Sequence, residues 1–433
     1  MHSENLIILV CVTLLLSYLS SLIYARTKVP DILWLMGFGL VVGPVFQLFD
    51  KELFLELAPM MSILALSIIL FEAGINVDIT MLLDYMGRAI VLSAASLLSV
   101  TLIVGFALSW LLPNDFTLLQ AMLLGAMVGG TSTVSTFGIL TGLQKSVKDM
   151  GPTKVLLTLE SIVSDPLCII ASITLIKMIM LPNVSMMDSV RDIFGTFTLS
   201  SAFGLGIGLL WAKVLNRLRN RPFTYMITIA VLLPTYILSE QWIGEGGGAM
   251  TALAFGLAVT NYRFIMEKLG ADSKVMVDKQ KLREFHEEIT FFIKSFFFVY
   301  IGLVVSLSLR YTFIGLGVAL LLMVIRFTLV RALSRFIPFS VEERTISQFV
   351  FAMGLPAFVM SQLPMIYDPS GRFFVNSAVY PDLCMPIVLG TVIYGALVAP
   401  IVIKQGLRVQ SQTPKEPAPA EKTGTVVSKP KPQ

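Results

Sequence analysis

Residues 156–170 read LLTLESIVSDPLCII, an apolar run of the kind that crosses a bilayer, yet this run contains two carboxylates. The acids are Glu160 and Asp165, and Pro166 follows the second of them directly. Ionisable groups inside membrane helices are costly and rare, and they mark ion pathways or buried ion pairs. The stretch therefore predicts a membrane helix with a functional polar side.

Polar side chains of this helix recur at steps of three and four residues, which places them on one face. They are Thr158, Ser161, Asp165, Cys168 and Ser172. Pro166 lacks an N–H group, so it leaves the carbonyl of Ile162 unpaired and kinks the helix beside Asp165. A carboxylate, hydroxyls and a spare carbonyl are the oxygen ligands of a monovalent cation.

The composition of the whole chain is that of a polytopic membrane protein. Of its 433 residues 55 % are hydrophobic and 14 % charged, against about 25 % charged in a soluble domain, and the mean hydropathy is +0.81. The three cysteines, Cys11, Cys168 and Cys384, lie in apolar runs and indicate neither a disulfide framework nor a metal site. His2 and His286 are too few for a histidine-based site. We therefore expect no cofactor, no enzymatic activity and no nucleic-acid partner.

Apolar segments of about 20 residues predict an all-α bundle of about thirteen spans. They lie near residues 4–25, 31–48, 53–74, 84–112, 117–142, 154–181, 193–214, 222–242, 247–262, 288–307, 311–335, 346–366 and 382–403. Residues 1–408 are thus predicted to form one transmembrane domain. Residues 409–433 are rich in Pro, Lys and Thr, and they predict a disordered tail.

Loop charges predict the orientation of the chain. With the N-terminus outside and the C-terminus cytoplasmic, most basic loop residues face the cytoplasm, as the positive-inside rule requires. They are Arg26, Lys28, Lys145, Lys148, Lys154, Arg217, Arg219, Arg221, Lys268, Lys274, Lys279, Lys281, Arg283, Arg331, Arg335 and Arg344. The opposite loops hold little more than Lys51, Arg191, Arg310 and Arg372. We expect a multi-pass protein of a prokaryotic plasma membrane.

Two spans are interrupted by glycine, proline and hydroxyl residues. The fifth reads AMLLGAMVGGTSTVSTFGIL, residues 121–140, and the twelfth reads FVFAMGLPAFVMSQLP, residues 349–364. Either break alone is consistent with a simple kink. The pair is typical of an inverted-repeat transporter, in which half-helix ends and freed carbonyls form a site at the midplane. The repeats would form a core of about residues 84–181 and 311–403.

The intramembrane charges are expected to have different roles. Glu160 has an obvious partner in Arg326, with which it would hold two helices in register. Asp165 is favoured as the functional acid, because a buried ionisable group outside an ion pathway is expensive. Lys294 lies close enough to a span end to snorkel to the surface. Glu72 and His286 are candidates for a pH gate, although the first is equally consistent with a helix-end charge and the second with a solvated helix start.

These residues resemble the monovalent cation:proton antiporter superfamily, on the sodium/proton exchanger side that includes the NhaP-type proteins. The likeness covers about residues 5–405. Its motifs are LMGFGLVVGP, LFEAGINVD, GGTSTVSTFGIL, ESIVSDP, FGLAVTN, FFFVYIGL, RFTLVR and GLPAFVMSQLP, in that order. The ordered set with ESIVSDP is more specific than any single motif.

The resemblance implies two inverted repeats with crossed broken helices beside a dimerisation panel, and hence a homodimer. By this likeness Asp165 carries the ion, Glu160 and Arg326 form a nearby pair, and Na⁺ is bound by Asp165, Ser161 and Thr131. Ser164 and Ser132 complete the candidate cation site. This chain has Ser164 before Asp165 where relatives often have Asn or Asp, and Thr131-Ser132-Thr133 where many have Thr-Asp-Pro. The absence of a second aspartate favours exchange of one cation for one proton.

Physical chemistry indicates how such a site works. Burial disfavours the charged form of Asp165, whereas a bound cation or proton neutralises it, so the two compete for one group. A carrier that changes sides when loaded with either must exchange Na⁺, or alternatively Li⁺ or K⁺, for H⁺ across the lipid bilayer. The chain has no phosphate-binding loop for ATP. A gated K⁺ channel or efflux protein is the alternative, since channels also place polar residues in broken helices; an intramembrane aspartyl protease would need a second facing aspartate.

Overall fold

The computed structural model describes ranges of the chain in which every regular element is helical. These are residues 3–27, 31–49, 51–77, 79–144, 150–181, 186–218, 221, 223–270, 275–305 and 308–412. The helices there are α1 (Ser3–Thr27), α2 (Asp31–Leu40), α3 (Lys51–Asn76), α4 (Ile79–Leu111), α5 (Leu118–Met127), α6 (Thr133–Gln144), α7 (Gly151–Met180), α8 (Met186–Arg217), α9 (Thr224–Trp242), α10 (Gly247–Thr260), α11 (Tyr262–Lys268), α12 (Lys279–Val304), α13 (Leu309–Leu333), α14 (Val341–Phe349), α15 (Leu355–Ser361), α16 (Leu363–Tyr367), α17 (Val379–Ile393) and α18 (Ala399–Gln412). Short π-helical turns, Val41–Val45 and Tyr394–Val398, follow α2 and α17.

Within the described ranges, six helical segments are long and apolar enough to cross a membrane. They are Pro59–Asn76, Asp84–Leu111, Gly151–Met180, Arg191–Arg217, Leu309–Leu333 and Val379–Gly406. The pair α10 and α11, bent by 83°, would be a seventh. The fifth predicted span consists here of two short helices, and α5, with ten residues, is about 15 Å long where a bilayer core needs about 30 Å. The number thirteen therefore remains a prediction.

The helices pack in two groups. In one group α4 packs against α5 and α7, and α13 packs against α17 and α14. In the other α10 packs against α3 and α8, and α12 packs against α2 and α3. The backbones of α2 and α12 approach so closely that a Cβ on Gly39 would lie 2.2 Å from the carbonyl oxygen of Val299. Between the groups, the hydroxyl of Tyr300 donates a 2.7 Å hydrogen bond to Oε1 of Gln362.

The C-terminal end differs from the expectation in one respect. Helix α18 continues to Gln412, so residues 409–412, which composition assigned to a disordered tail, are helical. The rest of that predicted tail, residues 413–433, lies outside the described residues. Several of the loop residues that favour the orientation lie outside them as well, so the orientation remains a prediction. These are Lys28, Lys145, Lys148, Arg219 and Lys274.

Candidate functional site

Two helix breaks meet at the candidate site. The chain between α5 and α6 crosses the chain between α14 and α15, and the N–H of Ser132 donates a 2.8 Å hydrogen bond to the carbonyl of Ala352. A Cβ on Gly354 would lie 2.3 Å from the Oγ of Ser132, so the crossing requires a glycine. Both breaks occur where glycine and proline interrupt the fifth and twelfth predicted spans.

Asp165 lies in the middle of α7 beside this crossing. The residue is 7 % exposed, and its carboxylate has no hydrogen bond or ion pair with any residue that the structure describes. It lines a cavity of about 60 Å³ together with Ser132, Thr133, Lys294, Ser295 and a set of apolar side chains. A cavity of this size and polarity holds a few water molecules or a partly hydrated cation.

The other hydroxyl residues of the predicted site form a network behind Asp165. The hydroxyls of Thr131 and Ser161 lie 2.9 Å apart, and the N–H of Thr131 donates to the Oγ of Ser164 at 3.1 Å. The Ser161 hydroxyl is also 3.0 Å from the carbonyl of Leu157. Thr131, Ser161 and Ser164 are not among the residues that line the cavity. Their hydroxyls join the break after α5 to α7 in this conformation.

Thr133 is a candidate ligand that the sequence reasoning missed. Its residue lines the cavity with Asp165, and its buried Oγ1 has no hydrogen-bond partner among the described residues. A buried hydroxyl without a partner is costly, and a bound cation or water would satisfy it. The signal in the sequence was the run Thr131-Ser132-Thr133, but which of these hydroxyls faces the cavity depends on the backbone of the break.

The second acid of α7 is fully paired. Nη1 and Nη2 of Arg326, in α13, contact Oε1 and Oε2 of Glu160, the latter at 2.7 Å. The side chains of the pair are 1 % and 2 % exposed. Nε of Arg326 donates to the carbonyl of Ser347 at 2.8 Å, so the arginine also binds α14. This bidentate pair joins three helices, and the structure places the two residues in contact as the sequence reasoning proposed.

Lys294 and His286 both lie in the interface between α12 and α3. Nζ of Lys294 lies 3.2 Å from Oε2 of Glu72, with 19 % of the lysine side chain exposed, and the residue lines the cavity that contains Asp165. His286 is not a solvated helix start, since it is 0 % exposed and its ring packs 4.7 Å from that of Phe71. Neither ring nitrogen of His286 has a partner among the described residues. Packing of α12 against α3 buries His286 and brings Lys294 to Glu72.

The donor set of the cavity is one carboxylate with hydroxyls. The described residues contain no cluster of three or more His, Cys, Asp or Glu side chains that would hold a metal ion. One carboxylate and neutral oxygens match the charge of a monovalent cation, which such a site can bind and release.

Comparison with known proteins assigns the family. A family model described as sodium/hydrogen exchanger, transmembrane, matches residues 11–409. The chain belongs to the sodium/hydrogen exchanger family. The match covers both helix breaks, α7 and the cavity, so it includes every residue of the candidate site. The resemblance inferred from the motifs is thereby confirmed.

Curated relatives of this exchanger chain include antiporters for different cations. The chain is 29 % identical over 248 residues to the K(+)/H(+) antiporter NhaP2 of Shewanella baltica (strain OS223). This alignment covers 55 % of the chain and 40 % of the relative. The chain is 25 % identical over 314 residues to the Na(+)/H(+) antiporter NhaS2 of Synechocystis sp.. This alignment covers 71 % of the chain and 52 % of the relative. The matched part of the chain thus spans about half the length of these relatives or less.

A solved structure of a similar fold covers nearly the whole chain. The sodium proton antiporter MjNhaP1 from Methanocaldococcus jannaschii, determined at pH 8, aligns with a TM-score of 0.74 over 94 % of this chain and 99 % of that one. The sequence identity is 19 %, so the alignment demonstrates the fold. The fold of the described residues is therefore all-helical and similar to that of MjNhaP1.

Proposed function

We propose that this member of the sodium/hydrogen exchanger family is a secondary active antiporter that exchanges a monovalent cation for H⁺ at Asp165. The observation that carries the proposal is the state of this carboxylate. It is buried at the crossing of two helix breaks, has no partner among the described residues and lines a cavity with free hydroxyl oxygen. A carboxylate in this position needs a cation or a proton to neutralise it.

Competition for this one group produces exchange. Burial disfavours the charged carboxylate, so the empty carrier with an ionised Asp165 changes sides poorly. A proton or a cation neutralises the group, and the loaded carrier changes sides readily. Each change of side therefore takes a proton one way or a cation the other way, and the ion gradients drive the cycle.

The proposed architecture supports alternating access. The crossed breaks would belong to two inverted repeats, and the helices around them would move as a core against the group that contains α3, α10 and α12. The pair of Glu160 and Arg326 holds α7, α13 and α14 together during this movement. We further propose thirteen spans, an outside N-terminus, a homodimer and the plasma membrane of a prokaryote.

Na⁺ is the first cation we propose, with K⁺ and Li⁺ as alternatives. The curated relatives carry names of both K(+)/H(+) and Na(+)/H(+) antiporters, so family membership leaves the choice open. The stoichiometry we propose is one cation for one proton, because the cavity contains one carboxylate among its described lining residues.

Proton flux in proteoliposomes tests the function. Imposed gradients of Na⁺, K⁺ and Li⁺ should each be tried as drivers, and tracer counterflow in preloaded vesicles separates an exchanger from a channel. Asp165→Asn should abolish cation-driven proton flux and keep its fold, because an amide retains the shape but cannot trade a proton for a cation. Asp115→Asn is the matched control, since Asp115 binds Tyr311 and Arg310 away from the cavity. Substantial flux by Asp165→Asn would refute the mechanism, and flux without counterflow would favour a channel.

A further inference from the structure

The cavity at Asp165 contains a cation that belongs to the protein itself. Among its described lining residues the charged side chains are Asp165, from α7, and Lys294, from α12. Lys294 is bonded to Glu72 of α3, with Nζ 3.2 Å from Oε2. The cavity that should receive a monovalent cation is thus shared by a monovalent ammonium group.

This ammonium group is paired with Glu72 and has no bond to Asp165 in the structure. An ammonium group is a compact point charge with three donors on a flexible four-carbon stem. The carboxylate of Asp165 has no partner among the described residues, whereas the side chains of Lys294 and Glu72 are 19 % and 17 % exposed and paired with each other. In a cavity with apolar walls an unpaired ammonium and an unpaired carboxylate attract strongly. Without Glu72, Asp165 would be the available counter-charge.

Arg283, another basic residue of α12, already has a hydrogen-bond partner in α3. Arg283 of α12 donates from Nε and Nη2 to the carbonyl of Ile75, at 3.1 Å and 3.0 Å. His286, the other basic side chain on this face of α12, is buried and packs against Phe71. Among the described basic residues of α3 and α12, Lys294 is therefore the one that forms an ion pair with Glu72.

We infer that Lys294 is a tethered competitor for the cation at Asp165, and that Glu72 is the positioning residue that restrains it. This inference rests on the proposed function, because it concerns the same site. Released from Glu72, the ammonium group would neutralise Asp165 in place of the transported cation. The balance between the two carboxylates would then set the apparent affinity for the cation.

A cycle of two substitutions tests the inference in proteoliposomes. Glu72→Gln should raise the KM for the cation about tenfold with little change in kcat, because a tethered competitor acts at a high effective concentration. Lys294→Met should leave the KM at or below the wild-type value. The double variant Glu72→Gln/Lys294→Met should return to the KM of Lys294→Met alone. Glu72→Gln/Lys294→Arg, which keeps the charge, and Glu72→Gln/Arg283→Met, which removes a different charge from α12, should both keep the raised KM.

The cation dependence of thermal unfolding provides a second readout that needs no transport. A cation that binds the folded protein raises the Tm, and the concentration at half effect reports its affinity. The half-effect concentration should follow the same pattern as KM across the variants, and the basal Tm of each variant shows whether it is folded. An unchanged KM and half-effect concentration in Glu72→Gln would overturn the inference. So would a raised value that persists in Glu72→Gln/Lys294→Met, since Glu72 would then act on the cation directly. If the half-effect concentrations of the variants follow this pattern but the wild-type protein performs no exchange, the proposed function is refuted and the inference stands.

Discussion

Glu160 and Asp165 are carboxylates of the same helix, five residues apart, and the structure gives them opposite surroundings. Both are buried, with 1 % and 7 % of the residue exposed. Glu160 accepts hydrogen bonds from both terminal nitrogens of Arg326. Asp165 has no partner among the described residues and lines the cavity. Burial alone therefore does not distinguish the two acids. Asp165 differs from Glu160 because it is buried without a partner among the described residues and lines a cavity.

The position of each acid along α7 explains the difference. Glu160 lies in α7, against which α14 packs. Arg326 of α13 reaches Glu160 while also binding the carbonyl of Ser347 in α14. Asp165 lies beside the crossing of the two breaks, and the complementary charge that lines its cavity, Lys294 of α12, is paired with Glu72 instead. A fully bonded ion pair is a fixed structural contact, and an unpaired carboxylate can exchange its neutralising charge.

The largest effect we expect is on the paired acid. Removing one partner of a buried ion pair leaves the other charged and unpaired, so Glu160→Gln or Arg326→Met should lower the free energy of unfolding by about 3–5 kcal/mol. The double variant should recover most of this loss. Unfolding of the protein in detergent, followed by intrinsic fluorescence, measures all three.

The pair of Arg263 and Glu267 is the control for this experiment, because its side chains are 71 % and 54 % exposed. Exposed pairs contribute about 0–1 kcal/mol, so Arg263→Met should cost much less. A double variant at Glu160 and Arg326 that is no more stable than the worse single variant would show that the contact between them is not what stabilises the bundle.

A moderate effect is expected from the hydroxyls around Asp165. Thr133→Ala removes a cavity hydroxyl without a partner and should raise the KM for the cation about fivefold, equivalent to about 1 kcal/mol. Thr131→Ala and Ser161→Ala should raise it less, because these hydroxyls bind each other in the present conformation. Thr174→Ala, whose hydroxyl binds the carbonyl of Ile170, is the control on α7. An unchanged KM in all three test variants would show that the cation binds elsewhere.

A smaller effect, on thermal stability, is expected at Asp368, a hydrogen-bonded acid outside the membrane spans. Burial raises the pKa of this carboxyl, but the N–H groups of Phe374 and Phe373, the Ser370 hydroxyl and the N–H of Arg372 outweigh burial and lower the pKa from 3.8 to about 2. A depressed pKa in the folded state means that the carboxylate stabilises the fold above about pH 4, and that this contribution is lost as the pH falls towards 2.

Asp368→Asn should therefore lower the Tm by about 1–3 °C at pH 7. The difference in Tm between the variant and the wild type should shrink as the pH is lowered through 3.8 towards 2. Thermal scans of both proteins over this range measure it. Exchange at pH 7 should be unaffected, in contrast to Asp165→Asn, and a loss of exchange in Asp368→Asn would show that this loop contributes to transport.

The smallest effect we expect is that of the membrane potential, which should be none. Arg326 neutralises Glu160 and does not deprotonate. In the proposed cycle Asp165 alone changes its load while Lys294 stays charged, so each loaded state has the same charge. Proteoliposomes clamped with K⁺ and valinomycin measure this, after K⁺ has been shown not to drive proton flux. A Na⁺/H⁺ equilibrium that moves with the clamped potential would mean that a second group exchanges a proton, and Lys294→Ala would be the variant to examine.

Much of the site could be predicted because its causes are local. The apolar runs, the glycine and proline residues of the fifth and twelfth spans, and the acid beside Pro166 act through the chemistry of their own segments. Asp165 is recognisable for the same reason, since a carboxylate in an apolar helix is costly wherever that helix packs. The partners of the acids are a different matter. Glu160 and Arg326 are 166 residues apart in the chain, and they could be paired beforehand only because Arg326 is an opposite charge inside another apolar segment.

The sequence by itself thus determined that this chain is a helical membrane protein with two interrupted apolar segments and an acid inside a third, because composition and backbone chemistry require no neighbours. The tertiary structure decided which oxygen atoms and which charges surround that acid. Thr133 rather than Thr131 lines the cavity because the backbone turns at the crossing of the two breaks. Lys294 binds Glu72, 222 residues away, because α12 packs against α3. The direction of a side chain at a break and the contact between distant helices both follow from packing, which no single segment of the sequence contains.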